Sequence, residues 1–240
     1  MKNSLNNIIF IIALFILSSC NADKYFGYSN EAEELIESVK IKGQVVNLYD
    51  DEPAPIVHVS AGPYETLTDY TGAFFINYIL TPDDERNRPV QFLFTHEKYY
   101  DEERRLVIDP LGMEINVAMR YAAPIIKEAA LFPNNNASEL EGRHYICQAI
   151  IMDYQGIHTV GRVEVRYNIE DSAGNIRSAA TLLTRVATVS DREGHFQAEI
   201  SIGSTEDIQN GYQIYAQDDE GFDDLYKTSK NPLQPDDPIF

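Results

Sequence analysis

GRVEVRYNIE, residues 161–170, alternates without a break: Val163, Val165, Tyr167 and Ile169 fall on one side, and Arg162, Glu164, Arg166 and Asn168 on the other. Successive side chains of a strand point to opposite faces, so this pattern specifies a half-buried β-strand. The same period recurs along the chain. Phe74, Ile76 and Tyr78 share a face, as do Val90, Phe92 and Phe94, and Ile115, Val117 and Met119. Further on, Phe196, Ala198, Ile200 and Ile202 point inward, followed by Tyr212, Ile214 and Ala216. Turn clusters separate these runs, among them Asp50-Asp51-Glu52-Pro53, Asp69-Tyr70-Thr71-Gly72 and Asp171-Ser172-Ala173-Gly174. Short strands at this spacing predict an all-β chain folded as a sandwich or a barrel. A D-x-x-G-x-F pattern appears at Asp69–Phe74 and again at Asp191–Phe196. Because the flanking spacings differ, it reads as convergent turn chemistry rather than an internal repeat.

The N-terminus has a different character. One lysine precedes the apolar run Ile8–Leu17, and small residues follow it, which is the layout of an export signal. The run falls short of the roughly 20 apolar residues a membrane-spanning helix needs. It also lacks the polar positions at helical period that a core helix would show. Leu17-Ser18-Ser19-Cys20 resembles the lipobox of bacterial lipoproteins. The resemblance implies cleavage before Cys20 and acylation of its thiol and new amino group, anchoring the protein to a membrane. One acyl chain anchors only marginally, so a multiply acylated cysteine is what would hold. Cys147 is then left without an intramolecular partner, and its apolar strand marks it as a buried, inert thiol.

The whole chain carries a formal charge of −19; removing Lys2 with the signal leaves 18 basic against 38 acidic residues, or −20. Phosphate binding needs clustered Lys and Arg, so nucleic acid is not an expected partner. The acidity reads first as a solubilising, self-repelling surface.

The divisions expected are a signal over 1–19, a polar tether over 20–38, a first sandwich over 39–121, a second over 122–222, and an acidic, Pro-rich tail over 223–240 that cannot build a core. Ile41, Gly43 and Val45, then Val57 and Val59, then Thr68, Asp69, Gly72 and Phe74 resemble a carboxypeptidase-regulatory-like domain, which implies a seven-stranded transthyretin-like sandwich in an accessory role. One departure is that no glycine precedes the aromatic pair in His96-Glu97-Lys98-Tyr99-Tyr100. The order of features from Ala123-Pro124 to Asp218, over about 122–222, resembles bacterial immunoglobulin-like domains, and the two resemblances together imply two tandem β-sandwiches, transthyretin-like and then immunoglobulin-like.

Catalytic signatures are weak. His96-Glu97 opens like the zinc motif H-E-x-x-H, but Tyr100 stands where the second histidine belongs. His58, His144, His158 and His195 show no ligand spacing. Carboxylates cluster at Asp50-Asp51-Glu52, Asp83-Asp84-Glu85 and Asp218-Asp219-Glu220 with Asp223-Asp224. The last run offers oxygens for calcium without the D-x-D-x-D-G spacing. Tyr64, Tyr70, Tyr99 and Tyr100 are placed in loops where they could form a sugar-binding platform. Asp171-Ser172-Ala173 resembles a short O-glycosylation motif of some Gram-negative envelope proteins. No cofactor, no metal and no catalytic residue is expected, and one modified residue, Cys20, is. The expected function is a lipid-anchored envelope protein, non-catalytic, serving as a spacer or protein-interaction module, with a protein partner in the envelope. Asn21 after the cysteine favours the outer membrane of a Gram-negative bacterium, by family analogy. A glycan-binding accessory and a hydrolase with an unrecognised site stay open as alternatives.

Overall fold

The computed structural model describes residues 38–80, 88–135, 142–228 and 236–240. The export signal, Cys20, most of the tether and the Asp83-Asp84-Glu85 cluster lie outside the described residues. Those residues are all-β, with no α-helix among them. They form two β-sandwiches, each with its own apolar core.

In the first sandwich β1 (Ser38–Asn47) lies between β4 (Ala73–Ile79), antiparallel to it, and β7 (Met113–Met119), parallel to it. The facing sheet runs β3 (Tyr64–Leu67), β2 (His58–Ala61), β5 (Val90–Thr95) and β6 (Glu102–Leu106). The alternating residues meet between the sheets: Ile41, Val45, Phe74, Ile76, Phe92, Phe94, Val117 and Met119 are all buried. Two motif residues have visible jobs. Thr68 is buried, donates its hydroxyl to Ala54 O at 2.7 Å and accepts Val57 N–H at 2.9 Å, tying the chain between β1 and β2 to the next turn. Asp69 Oδ1 accepts the N–H groups of Thr71 and Ala73 at 2.8 and 3.0 Å. Gly72 donates back to Asp69 O with φ +75°, a conformation that suits glycine.

That turn proves general. Asp109, Asp153, Asp171 and Asp218 repeat it: Oδ1 takes the N–H two residues on, and a glycine three residues on closes to the Asp carbonyl. Asp191 does not repeat it. Asp191 and Arg192 form the two-residue tip between β12 (Thr184–Ser190) and β13 (Glu193–Ile202), and Gly194 sits inside β13 opposite Ile151. The shared D-x-x-G-x-F letters therefore cover two different turns.

The second sandwich packs a sheet ordered β12, β13, β9 (Arg143–Met152), β8 (Ile125–Pro133) against one ordered β11 (Ile176–Leu182), β10 (Val160–Glu170), β14 (Asp207–Asp218), β15 (Asp223–Lys227). This is the four-on-three strand order of an immunoglobulin-type sandwich with one strand added to the smaller sheet. Leu183, buried between β11 and β12, is where the chain leaves one sheet for the other, its N–H held by Val163 O at 2.8 Å. Cys147 is buried in the core, and burial pushes its thiol well above the ordinary range. A thiol reagent is expected to leave it unmodified in native protein and to label it within minutes in denaturant. Prompt native labelling would contradict this burial.

The expected tail requires correction. Asp223–Lys227 form β15, paired to β14. Residues 236–240 also lie on the sandwich. Asp236 N–H donates to Leu131 O, and its carboxylate accepts Leu131 N–H, both at 3.2 Å, so the segment occupies the open edge of β8. Gln148 faces outward yet is only 5% exposed, because it is bracketed by Ile239 N–H and Phe240 O at 3.0 Å each. The Phe240 ring stacks on His195 at 4.1 Å. Pro- and Asp-rich composition describes a segment without a core of its own, and this one uses its neighbour's.

Candidate functional site: the seam between the sandwiches

The link between the sandwiches is Ala122-Ala123-Pro124, and all three residues are buried. Domain linkers are ordinarily exposed and polar. Here Ala122 N–H and Ala123 N–H both reach Lys98 O, at 2.8 and 3.3 Å, and Tyr100 N–H reaches Arg120 O. The two sandwiches are joined by a seam rather than a hinge.

Its residues come from loops on both sides. Tyr49, just after β1, stacks face to face on Tyr154, just after β9, with centroids 4.3 Å apart. Such a pair contributes about 1 kcal/mol beyond its area. Tyr154 donates its hydroxyl to Asp50 at 2.6 Å. Gln155 donates to Tyr121 O at 2.5 Å and to Tyr49 Oη at 3.2 Å. Lys98 pairs with Asp224 of β15, whose other oxygen takes Ile126 N–H at 3.3 Å. Tyr100 meets Phe222 edge-on under the Arg120 guanidinium. Burial pushes the Tyr99, Tyr100 and Tyr154 hydroxyls up to about 12. For Tyr154 the Asp50 carboxylate adds to that shift, and for Tyr100 the Glu220 carboxylate does so.

Beneath the seam, Asp153 is fully buried and Asp218 nearly so. Burial raises both carboxyls above their ordinary value, and Asp218 raises Asp153 further. Thr159 Oγ1 lies 2.7 Å from Gly156 O and 3.2 Å from Asp153 Oδ2, one hydroxyl proton between two acceptors. An amide at position 153 would keep the Oδ1 acceptor for Gln155 N–H and supply the missing donor toward Thr159. A group whose folded value is raised contributes stability below its unfolded value and loses it as pH rises. Asp153→Asn is therefore expected to stabilise the protein at pH 7 by on the order of 1 kcal/mol. The gain shrinks as pH falls toward about 4, the ordinary aspartate value. Urea titrations at pH 4 and pH 7 check this; equal differences at both would refute it.

The predicted site residues are dispersed. His96 accepts Lys98 N–H on Nδ1 at 3.0 Å and meets Tyr99 edge-on, so it organises a turn. Burial lowers its pKa. The four tyrosines do not gather: Tyr99 is buried against Tyr121, Tyr64 leans on Tyr78, Tyr100 belongs to the seam, and Tyr70 stands out in solvent. The carboxylates of the 218–224 run diverge, Asp218 to its own turn and Asp224 to Lys98. No cluster of three or more metal-binding side chains occurs among the described residues. Sequence reading missed Tyr49, Gln155 and Asp224 as seam residues; the uninterrupted Ala-Ala-Pro, without a polar linker, was the one signal pointing there.

The outer face of β10 holds one further device. Glu164 is buried there, gripped by Arg166 and Arg162 at 2.5 Å. Burial pushes its carboxyl up, but the two guanidiniums outweigh that and hold it below its usual value. Beside it lies an open depression of about 740 Å³, lined by Arg166, Asn168, Ser178, Gln213 and Lys227 among others.

No family model matches the chain, and no curated protein matches it. Among solved structures it is similar to a DUF3823 family protein from Bacteroides ovatus, with 11% identity, a TM-score of 0.35, and coverage of 80% of this chain and 97% of that one. A DUF3823 family protein from Parabacteroides merdae matches with 10% identity and a TM-score of 0.33, over 80% and 96%. The major pilin subunit of Bacillus cereus matches with 12% identity and a TM-score of 0.37, over 79% and 67%. At these scores the likeness decides nothing about function.

Proposed function

We propose that this protein is a non-catalytic spacer and protein-interaction module of a bacterial cell envelope, held to the outer membrane through acylated Cys20. The observation that supports it best is the buried link, Ala122-Ala123-Pro124, closed by the Tyr49–Tyr154 stack and the Lys98–Asp224 pair. A spacer that presents a binding surface at a set height needs two modules that move as one. A flexible string would not provide that. The carboxypeptidase-regulatory-like and immunoglobulin-like resemblances fit an accessory of this kind.

Two measurements test the reading. Tyr154→Ala removes the stack and the Asp50 hydrogen bond. Combined with Lys98→Ala, it should let the sandwiches tumble separately, seen as shorter NMR rotational correlation times for both halves and a broadened small-angle scattering profile. Unchanged tumbling in the double variant would argue against a seam that sets rigidity. For the anchor, fatty-acid labelling of the parent and its loss in Cys20→Ala is the expected pair of results. Labelling that survives the substitution would remove the anchor from the proposal.

A further inference from the structure

Beside the seam, on the second sandwich, lies an open cleft of about 540 Å³ lined by Tyr154, Gln155, His158, Arg185, Asp191 and Arg192 among others. A volume in this range suits one or two sugar rings. Its charge is unusual for so acidic a chain. Most described lysines and arginines are within 4.0 Å of a carboxylate, among them Lys98, Arg104, Lys127, Arg143, Arg166 and Arg177. Arg185 and Arg192 have no such partner among the described residues, although both line the cleft with Asp191.

Both guanidiniums are nonetheless placed. Arg185 spends one nitrogen on Ile157 O at 2.8 Å, which fixes the head group and leaves its other donors open. Arg192 stands 5.7 and 5.8 Å from the Tyr49 and Tyr154 ring centroids. Those rings are only 4.3 Å apart, so the guanidinium lies beside the stack rather than over one face. The His158 ring is set by Gly156: a Cβ there would fall 2.6 Å from its Cε1. A planar guanidinium fork matches a carboxylate, and this cleft is lined by two of them together with Tyr154.

We propose that this cleft binds the carboxylate of an acidic sugar, a uronic acid unit of a polysaccharide, with Arg185 and Arg192 as its ligands. The sugar is favoured over an acidic peptide by the compactness of the cleft and by the Thr188 hydroxyl and His158 imidazole in its lining. An extended peptide would call for a groove with side-chain pockets along a strand. The site is independent of the spacer reading and needs no movement at the seam.

The test is titration of the full chain, followed by NMR and calorimetry, with digalacturonate, the neutral digalactose, and triglutamate. Digalacturonate is expected to bind at least about tenfold more tightly than either of the other probes, and Arg192→Gln to weaken it roughly tenfold. Arg192→Lys should recover only part of that loss, because the charge returns without the fork. Arg185→Gln should weaken binding similarly. Since it also frees Ile157 O, its melting temperature is measured alongside, and a disturbed loop leaves Arg192→Gln as the deciding variant. Equal binding of digalactose, an unaffected Arg192→Gln variant, or no digalacturonate binding below about 10 mM would overturn the proposal. Triglutamate binding as tightly as digalacturonate would overturn it in favour of an acidic peptide.

Discussion

Gly43→Ala is expected to cost the first sandwich about 3 kcal/mol or more. A Cβ on Gly43 would lie 1.8 Å from Ile115 O and 2.7 Å from Phe74 Cε1. Neither obstacle can give way cheaply. Ile115 is the register partner of Gly43 in the parallel ladder between β1 and β7, so moving its carbonyl means opening the sheet. The Phe74 ring is wedged against Phe94 with centroids 5.8 Å apart in the middle of the core. Gly62→Ala is the control: its Cβ would meet nothing within 4 Å, so only the positive φ of 57° opposes it. That strain costs about 1 kcal/mol. Urea unfolding of both variants gives the comparison. A Gly43→Ala loss no larger than the control's would mean that β1 and β7 do not approach as described.

Removal of residues 236–240 is expected to cost about 2 kcal/mol and to make the protein self-associate at high concentration. The energy comes from several bonds lost together: Asp236 with Leu131 and with the Tyr212 hydroxyl, and Gln148 with Ile239 and Phe240. Each is worth about 1 kcal/mol net, offset in part by the freedom the released residues regain. The association follows from geometry. Without Asp236, the Leu131 N–H and C=O face solvent on an unprotected strand edge, where another chain can add. Thermal melts report the first effect and sedimentation the second. A truncated chain that melts with the parent and stays monomeric would show that the segment is a passenger.

The fold could be read from Val163, Val165, Tyr167 and Ile169, and from their counterparts around both cores, because alternation is local and burial follows it. Gly43 and Gly72 stood out as motif glycines, but only the structure shows that Gly43 makes room for a strand some seventy residues away. The same limit explains the errors. In Asp223–Lys227 only Asp224 and Tyr226 are even half-buried, so β15 carries almost no apolar signal beside so many acidic neighbours. Tyr99 and Tyr100 looked like loop tyrosines free to hold a ligand; what occupies them are Tyr121 and Phe222, contributed by residues remote in sequence. The arginine cleft joins a loop after β9 to the β12–β13 hairpin, with Arg185 near the start of β12 and Arg192 at the tip, and their spacing in sequence alone says nothing of it.

The aspartate–glycine turns give the molecule two opposite answers to acid. At Asp69 and Asp171, in open solvent, hydrogen bonds from Thr71 and Asn175 hold the carboxyl below its usual value, so these tips lose support as protons arrive. Under the seam, Asp153 and Asp218 are held above theirs, and the same protons relieve them. A falling pH therefore does not soften the protein evenly. It withdraws support from the outlying turns and lifts a penalty from the two buried ones.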